Sequence, residues 1–233
     1  MPQSSKSSAS VVFLLDVDNT LLDNDAVAND LRDYLTAEFG AERQERYWVE
    51  FERLRSELGY ADYLGALQRF RAAYPHDTHL LGASEWLIDY PFAERLYPDA
   101  LDVLALLRRR GGTAILSDGD VVFQPRKVQR SGLGDAVDGV LIYVHKEREL
   151  DDVERRYPAE RYVLVDDKLR ILTAVKQAWG GRIHGLDPHV VADNSNAWLV
   201  PVGTPGRDTA EFVHPTQPGW DATAGALRAA VTG

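Results

Sequence analysis

The chain has 233 residues, 45% of them hydrophobic and 27% charged, which is typical of a globular protein with a substantial core. A formal net charge of −10 at pH 7 opposes attraction to nucleic-acid phosphates, so we expect no nucleic-acid partner. The absence of cysteine excludes disulfides and thiolate chemistry, and no apolar run is long enough to span a membrane.

The chain starts with a polar stretch that gives way to a predicted strand. Residues 1–10 are rich in serine and lack the apolar core of a signal peptide, so we expect a disordered tail and a cytoplasmic protein. The apolar run 11–15 predicts a strand buried on both faces, as in parallel sheets. Such sheets bind ligands beyond the carboxyl ends of their strands, which is where Asp16 and Asp18 fall.

These two aspartates are the first candidates for chemistry. They can face one crevice only if the strand already bends into a loop, because side chains alternate along a strand. Neighbouring carboxylates resist joint ionisation unless a cation or hydrogen bonds compensate. Oxygen ligands suit Mg²⁺, so the segment predicts a magnesium site. The alternative is an ordinary turn that follows a strand.

Helical periodicity covers the next part of the chain, from about residue 26 to residue 90. Glycines and prolines divide it into about four predicted helices, with breaks at Gly40, Gly59, Pro75 and Pro91. Within this region, the junction Gly59-Tyr60 is the part that we expect to face the crevice.

From residue 98 onward, predicted helices and strands alternate. The predicted helices cover 99–110, 122–131, 147–156 and 168–178, and the predicted strands cover 113–116, 139–144, 162–165 and 183–186. This alternation predicts an α/β fold with a parallel sheet and right-handed crossovers. After residue 187 the pattern weakens, and it indicates only an edge strand at 198–202 and a short helix at 221–231.

Polar and charged residues stand where four of the predicted strands end: Asp16 and Asp18, then Ser117, then Lys146, and then Asp166 and Asp167. The carboxyl ends of parallel strands lie at one edge of the sheet, so these side chains can share one crevice. An oxygen nucleophile, positive charge and a phosphate-binding hydroxyl suit phosphoryl transfer. A carboxylate can attack phosphorus to give an acyl phosphate, which splits the reaction into two easier steps.

The ordered set of segments resembles the four motifs of the haloacid dehalogenase (HAD) superfamily: Asp16-Val-Asp18-Asn19-Thr20, Ser117-Asp-Gly-Asp, Lys146 and Asp166-Asp167. The resemblance covers residues 11–187. It implies a Rossmann-like catalytic core formed by residues 11–24 and 93–233. The helical region 25–92 resembles the C1-type helical cap that the superfamily inserts between its first two motifs.

The resemblance also implies a role for each candidate residue. Asp16 is the expected nucleophile, Asp18 the expected general acid and base, and Lys146 the expected partner of Asp16 and the phosphate. The expected substrate-binding positions are Thr20, Ser117 and Asp118. The expected magnesium ligands are Asp16, Asp18 through its backbone carbonyl, and an aspartate of the fourth motif, for which we favour Asp167 over Asp166.

Some of these assignments have alternatives within the sequence. Lys127 competes with Lys146, and we favour Lys146 because it directly follows a buried strand. The aspartate of the pair 166–167 that does not bind the metal directly is expected to act through water or to cap the following helix. Three further aspartates fit turn or N-cap positions: Asp23, Asp118 and Asp120.

We therefore predict a Mg²⁺-dependent phosphomonoester hydrolase, of the phosphatase-like branch of the superfamily, that acts on a small soluble phosphate ester. Asp18 favours this activity over haloacid dehalogenase-like activity. The resemblance implies this preference because a halide departs without a proton, and the dehalogenases generally lack the second aspartate. The alternatives are a phosphosugar mutase and a non-catalytic binding or regulatory module. The sequence does not indicate an oligomeric state.

Overall fold

The computed structural model describes residues 9–186, which form a five-stranded parallel sheet flanked by helices. The strands are β1 (Ala9–Leu15), β2 (Gly112–Asp118), β3 (Gly139–Tyr143), β4 (Ala159–Val165) and β5 (Ile183–Leu186). Their order is β3-β2-β1-β4-β5, with β1 in the centre, and each neighbouring pair is parallel. The predicted α/β fold with a parallel sheet is therefore confirmed.

Three strands are longer than the apolar runs that predict them, and of these β2 covers Gly112–Asp118 rather than 113–116. Strand β1 begins at Ala9, so Ala9 and Ser10 lie in the sheet rather than in the expected tail. Strand β4 begins at Ala159, three residues before the predicted start, because Ala159 pairs with Ala9 in the central strand. The strand expected at 198–202 and the helix expected at 221–231 lie outside the described residues.

Four helices follow β1 in the chain: α1 (Asn24–Phe39), α2 (Ala41–Leu58), α3 (Tyr63–Ala73) and α4 (Leu80–Asp89). Their number agrees with the predicted four. The Asp23 side chain accepts a hydrogen bond of 2.9 Å from the backbone N–H of Ala26, which confirms Asp23 as the N-cap of α1. We call residues 24–89 the helical segment.

The remaining helices alternate with the strands: α5 (Ala100–Arg108), α6 (Phe123–Arg130), α7 (Leu133–Ala136), α8 (Leu150–Arg156) and α9 (Leu169–Trp179). The predicted helix 147–156 is divided into a 3₁₀ turn at Lys146–Arg148 and α8. Helix α7 and the 3₁₀ turn Phe92–Arg95 were not predicted, because one turn is too short for periodicity to reveal. No helix within residues 9–186 is both long and apolar enough to span a bilayer.

The core lies on both faces of the sheet, because successive side chains of β1 point in opposite directions. Val12 and Leu14 pack with the apolar faces of α8 and α9. Phe13 and Leu15 belong to a second cluster, which includes α5 and continues without a break into the helical segment. The buried apolar residues of α1–α4 therefore pack in one cluster with this face of the sheet.

The two connections between the sheet and the helical segment run side by side. The backbone N–H of Asp23 donates to the carbonyl of Arg95 at 2.8 Å, and the N–H of Tyr97 donates to the carbonyl of Leu21 at 3.0 Å. The helical segment therefore leaves and rejoins the rest of the fold at one place, close to the end of β1.

Candidate functional site

The site lies beyond the carboxyl ends of β1, β2 and β4. After β1 the chain turns sharply: the carbonyl of Val17 accepts hydrogen bonds from the backbone N–H groups of Thr20, Leu21 and Leu22. Asn19 has a φ of 57°, a left-handed conformation that asparagine tolerates better than most residues. This is the bend that Asp16 and Asp18 need in order to face one crevice.

Asp16 and Lys146 form a buried ion pair. Lys146 Nζ lies 2.6 Å from Asp16 Oδ1 and 2.6 Å from Asp166 Oδ2, and it donates to the carbonyl of Leu116 at 3.2 Å. Asp16, Lys146 and Asp166 are at most 1% exposed. The structure thus brings Lys146, not Lys127, to Asp16, as the sequence favoured.

The pKa values of this pair reflect a balance of burial and charge. Burial alone would raise the pKa of Asp16, but the ammonium groups of Lys146 and Lys168 hold it below its usual value. Burial alone would lower the pKa of Lys146, but the carboxylates of Asp16 and Asp166 raise it. Asp16 is therefore held as a carboxylate beside a protonated lysine, the state that a nucleophile requires.

Three carboxylates cluster at this point: Asp16, Asp166 and Asp167 each offer an oxygen within 4.8 Å of the others. Burial, with repulsion from Asp16, raises the pKa of Asp166 to about 6 and that of Asp167 to about 8. Asp16 Oδ2 and Asp167 Oδ1 are buried and accept no hydrogen bond from the residues that the structure describes. An all-oxygen cluster with spare acceptors and excess negative charge fits a divalent cation such as Mg²⁺.

Asp166 and Asp167 differ in their contacts. Oδ1 of Asp166 accepts the backbone N–H of Lys168 at 2.8 Å, and Oδ2, which accepts no hydrogen bond from the described residues, forms an ion pair with Lys146 at 2.6 Å. Asp166 thus holds the residue that precedes α9, but the expected helix cap is not present, because the N-cap is Lys168, whose side chain makes no capping hydrogen bond. Asp167 keeps Oδ1 free of hydrogen bonds among the described residues, which leaves it better suited to a cation.

Ser117 lies beside Asp16 and is almost fully buried. Its hydroxyl donates to Asp16 Oδ1 at 3.2 Å and accepts from Gln124 Nε2 at 3.0 Å. Gly119 makes this packing possible, because a Cβ there would lie 2.5 Å from Cβ of Gln124. Gln124 was not anticipated, and it joins Ser117 to Asp18 through a second hydrogen bond of 3.3 Å to Asp18 Oδ2.

Lys127, the rejected competitor of Lys146, has a partner of its own. Its side chain is fully buried, and Nζ lies 2.6 Å from Asp18 Oδ1 and 2.8 Å from Asn24 Oδ1. Each of the two aspartates after β1 therefore has its own lysine. A sequence signal existed, because Gln124 and Lys127 share the buried face of α6 with Phe123 and Val128 at helical spacing.

The carboxylate of Asp18 lies outside the three-carboxylate cluster among the described residues. Its expected contact with the metal runs through the backbone carbonyl, and this contact stays a prediction.

Other predicted residues have local structural contacts. Asp118 Oδ1 accepts the backbone N–H of Lys146 at 2.7 Å, so this carboxylate fixes the loop that carries Lys146. Burial raises the pKa of Asp118. Asp120 Oδ1 accepts the N–H groups of Val122 and Phe123 at the start of α6, as expected of a turn or N-cap residue. Thr20 is fully buried in the turn after β1, and its binding role stays a prediction.

The helical segment contacts the rim of the crevice at Gly59. This residue has a φ of 80°, and a Cβ there would lie 3.0 Å from Cε1 of His145, the residue before Lys146. Gly59 therefore lies beside the loop that carries Lys146, and the orientation of the Gly59-Tyr60 junction toward the crevice stays a prediction. Exposed apolar side chains follow β2 and β3 near the same edge of the sheet: Val121, Val122 and Val144.

Lys168 is a further charged residue at the site. Burial would lower its pKa, but Asp16 and Asp167 raise it, so a second ammonium accompanies the acidic cluster. No periodicity or motif in the sequence indicates this role of Lys168, because its interaction with Asp16 depends on the pairing of β1 with β4 in the sheet.

The fold and the site together define an enzyme core in which a buried carboxylate, paired with lysine, stands at the carboxyl edge of a Rossmann-like sheet. A family model described as haloacid dehalogenase-like hydrolase matches residues 11–179. The chain belongs to the haloacid dehalogenase-like hydrolases. A comparison with curated proteins found no match.

Solved structures support the same assignment. A protein described as a haloacid dehalogenase-like hydrolase from Burkholderia xenovorans is 64% identical to this chain, with a TM-score of 0.73 over 76% of this chain and 82% of its own. The HAD-hydrolase YfnB from Bacillus subtilis, bound to magnesium, is 15% identical, with a TM-score of 0.54 over 83% and 92%. The L-2-haloacid dehalogenase from Xanthobacter autotrophicus is 20% identical, with a TM-score of 0.53 over 93% and 98%. The last two share only the fold with this chain.

Proposed function

We propose that this hydrolase is a Mg²⁺-dependent phosphomonoesterase that acts on a small soluble phosphate ester through an aspartyl-phosphate intermediate. The observation that supports the proposal most strongly is the set of contacts of the Asp16 carboxylate. One of its oxygens is fixed by Lys146 and Ser117, and the other is buried without a hydrogen-bond partner beside Asp167. This arrangement suits a carboxylate nucleophile that shares its site with a divalent cation.

Asp16 and Asp167 are the residues that would hold Mg²⁺, with Asp166 next to them and the backbone carbonyl of Asp18 as a further ligand. Bound there, Mg²⁺ would neutralise the carboxylates and the negative charge of the phosphoryl group. The raised pKa values of Asp166 and Asp167 support this assignment, because burial and the neighbouring Asp16 both disfavour the ionised carboxylates, and a bound cation would offset this cost.

The chemistry of the chain's own residues follows from their positions. Asp16 attacks phosphorus, the bond from phosphorus to the ester oxygen breaks, and Asp18 gives that oxygen a proton. In the second half, a water attacks phosphorus and passes a proton to Asp18. The bond from phosphorus to Asp16 breaks, and this step releases phosphate and restores the Asp16 carboxylate. Lys146 and Ser117 stabilise the charge on the phosphoryl oxygens in both halves.

Asp18 favours this reaction over dehalogenation. A halide leaves without a proton, so a dehalogenase has no use for an acid at this position, whereas an alkoxide leaving group needs one. In this chain Asp18 is held at both oxygens by Lys127 and Gln124 and keeps 22% of its side chain exposed. An acid or base that is fixed yet reachable from the crevice suits proton transfer to a substrate.

The helical segment completes the proposal as a C1-type cap. Its two connections run side by side near β1, and its Gly59 lies against His145. A cap in this position would exclude water and contact the leaving group. The partner in this proposal is a small-molecule ester, with no nucleic acid or membrane involved, and the proposed location is the cytoplasm.

The test is phosphate release from a panel of phosphate esters, in Mg²⁺ and in EDTA. Asp16→Asn is the test variant, and Asp151→Asn, at an exposed position of α8, is the matched control. We expect Mg²⁺-dependent release by the wild type and the control and none by Asp16→Asn. Halide release from 2-chloropropionate without phosphate release would overturn the proposal in favour of dehalogenation.

A further inference from the structure

Helix α6 places two polar side chains inside the protein one turn apart. Gln124 is 3% exposed and Lys127 is fully buried. Both are directed to the same carboxylate, since Lys127 Nζ binds Asp18 Oδ1 at 2.6 Å and Gln124 Nε2 binds Oδ2 at 3.3 Å. A carboxylate with a donor at each oxygen is restrained in rotation about its side-chain bonds.

A second contact of Lys127 leads into the helical segment. Lys127 Nζ donates to Asn24 Oδ1 at 2.8 Å, and Asn24 Nδ2 donates to the hydroxyl of Tyr63 at 3.2 Å. Asn24 is the first residue of α1 and Tyr63 the first residue of α3. A continuous chain of hydrogen bonds therefore runs from Asp18 through α6 to two helices of the helical segment.

We propose that Lys127 is a positioning residue that orients the carboxylate of Asp18 and makes this orientation depend on the placement of the helical segment. The proposal rests on the proposed function, in which Asp18 carries the proton to the leaving oxygen. Lys127 touches neither the substrate nor the phosphoryl group in this account, and it acts only through Asp18.

The cost of burying a lysine supports a role beyond packing. A buried ion pair is often no more stabilising than apolar side chains of the same volume, so stability alone does not require Lys127. The pair is also asymmetric, because the side chain of Lys127 is 1% exposed while that of Asp18 is 22% exposed. Lys127 therefore contacts Asp18 from the protein interior, and part of the Asp18 side chain stays accessible to solvent.

Helix α6 is well placed to sense the helical segment. Arg130 of α6 donates to the carbonyl of Asp89 at the end of α4 at 2.7 Å, and Arg126 contacts the carboxylate of Asp89 at 3.1 Å. The ring of Tyr63 packs against that of Phe123 with centroids 5.1 Å apart. A shift of the helical segment would therefore disturb α6 and the bonds that hold Lys127.

The experiment compares two substrates that differ in their need for a proton. An alkyl phosphate has a poor leaving group, whereas p-nitrophenyl phosphate has a good one. We measure kcat/KM, which reports steps up to the transfer of phosphorus to Asp16, for the wild type, Lys127→Met and Lys176→Met. The control Lys176 lies on α9 and donates to the carbonyl of Ile183, at the start of β5 and far from the crevice.

General acid catalysis contributes about 10²–10⁴-fold, so a misplaced acid should lose a large part of that factor. We expect Lys127→Met to lower kcat/KM for the alkyl phosphate about 100-fold and that for p-nitrophenyl phosphate less than about tenfold. The Lys176→Met control should match the wild type on both. Equal losses on both substrates would overturn the proposal, because damage to the structure alone does not distinguish between leaving groups.

A milder variant tests the link to the helical segment. Tyr63→Phe removes only the hydroxyl that accepts from Asn24. We expect a smaller loss of kcat/KM than for Lys127→Met, again larger for the alkyl phosphate than for p-nitrophenyl phosphate. If the ratio of the two kcat/KM values equals that of the wild type, the link to the helical segment is contradicted. This variant keeps the proposal testable if Lys127→Met does not fold.

A measurement without turnover separates this proposal from the proposed function. Urea unfolding of Lys127→Met, Asp18→Asn and the double variant forms a double-mutant cycle. If Lys127 holds Asp18, the changes in the unfolding constant are not additive, even if the wild type releases no phosphate from either substrate. Additive changes would overturn the proposal whatever the reaction is.

Discussion

Replacing Lys146 by methionine should strongly destabilise the fold, because the lysine neutralises two buried carboxylates at once. Its Nζ lies 2.6 Å from both Asp16 and Asp166, and all three side chains are at most 1% exposed. Removing one partner of a buried ion pair typically costs about 3–5 kcal/mol. A typical domain has a free energy of unfolding of about 5–15 kcal/mol, so this loss is a large fraction of the total.

Urea unfolding followed by tryptophan fluorescence, in EDTA at pH 7, measures the effect. We expect Lys146→Met to lose about 3–5 kcal/mol. The matched control Lys176→Met gives up a single hydrogen bond to a backbone carbonyl and should lose about 1 kcal/mol. Adding Asp16→Asn to Lys146→Met should restore part of the loss, because one of the unpaired charges is removed.

Two results would show that Lys146 does not stabilise the fold in this way. A loss below about 1 kcal/mol for Lys146→Met would mean that the ion pairs contribute little to the fold. A double variant whose loss equals the sum of the two single losses would mean that Lys146 and Asp16 do not interact.

Three further predictions concern the cation, the rim and pH. Mg²⁺ at about 100 times its Kd should stabilise the protein by about 2.7 kcal/mol and raise Tm by roughly 5–10 °C. Asp167→Asn should remove this shift more completely than Asp166→Asn, and equal losses in thermal unfolding would contradict the assignment of Asp167. Gly59→Ala should lower the free energy of unfolding by about 1–2 kcal/mol, because alanine is strained at a φ of 80°. An unchanged urea midpoint would contradict the positive φ at this residue. Burial would raise the pKa of Asp138, but hydrogen bonds from Thr113 and Arg108 hold it below the usual 3.8. The ionised Asp138 therefore stabilises the folded protein at pH values above 3.8. This stabilisation is lost as the pH falls through the lower pKa that Asp138 has in the folded protein. The stability gap between wild type and Asp138→Asn should close in acid, and a gap that does not vary with pH would refute this.

Much of the fold follows from the sequence because buried parallel strands are continuous apolar runs with polar ends. The runs that end at Asp16, Ser117 and Asp166 predict three strands and, with them, the edge of the sheet where the site lies. Lys146 could be anticipated because it follows the apolar run of β3 after a short connection, although β3 is an edge strand in which Leu141 alone is buried rather than the buried strand that the sequence suggested. These features depend on local composition, which the sequence displays directly.

Other features depend on contacts between distant parts of the chain. The pairing of Lys127 with Asp18 joins residues 109 positions apart, and nothing in the local pattern around either residue requires it. The early start of β4 depends on Ala159 pairing with Ala9, although Glu160 and Arg161 are polar and exposed. Helical spacing does mark Lys127 as buried, but only the fold shows which carboxylate it meets.

The proposed reaction requires that Asp16 carries the phosphoryl group during turnover. Rapid acid quenching of the enzyme with its best phosphate ester and Mg²⁺, followed by peptide mass mapping, tests this directly. We expect one added phosphoryl group on the peptide that contains Asp16, lost on treatment with hydroxylamine and absent from Asp16→Asn. Steady phosphate release with no phosphoryl group on this peptide, or release by Asp16→Asn, would contradict it.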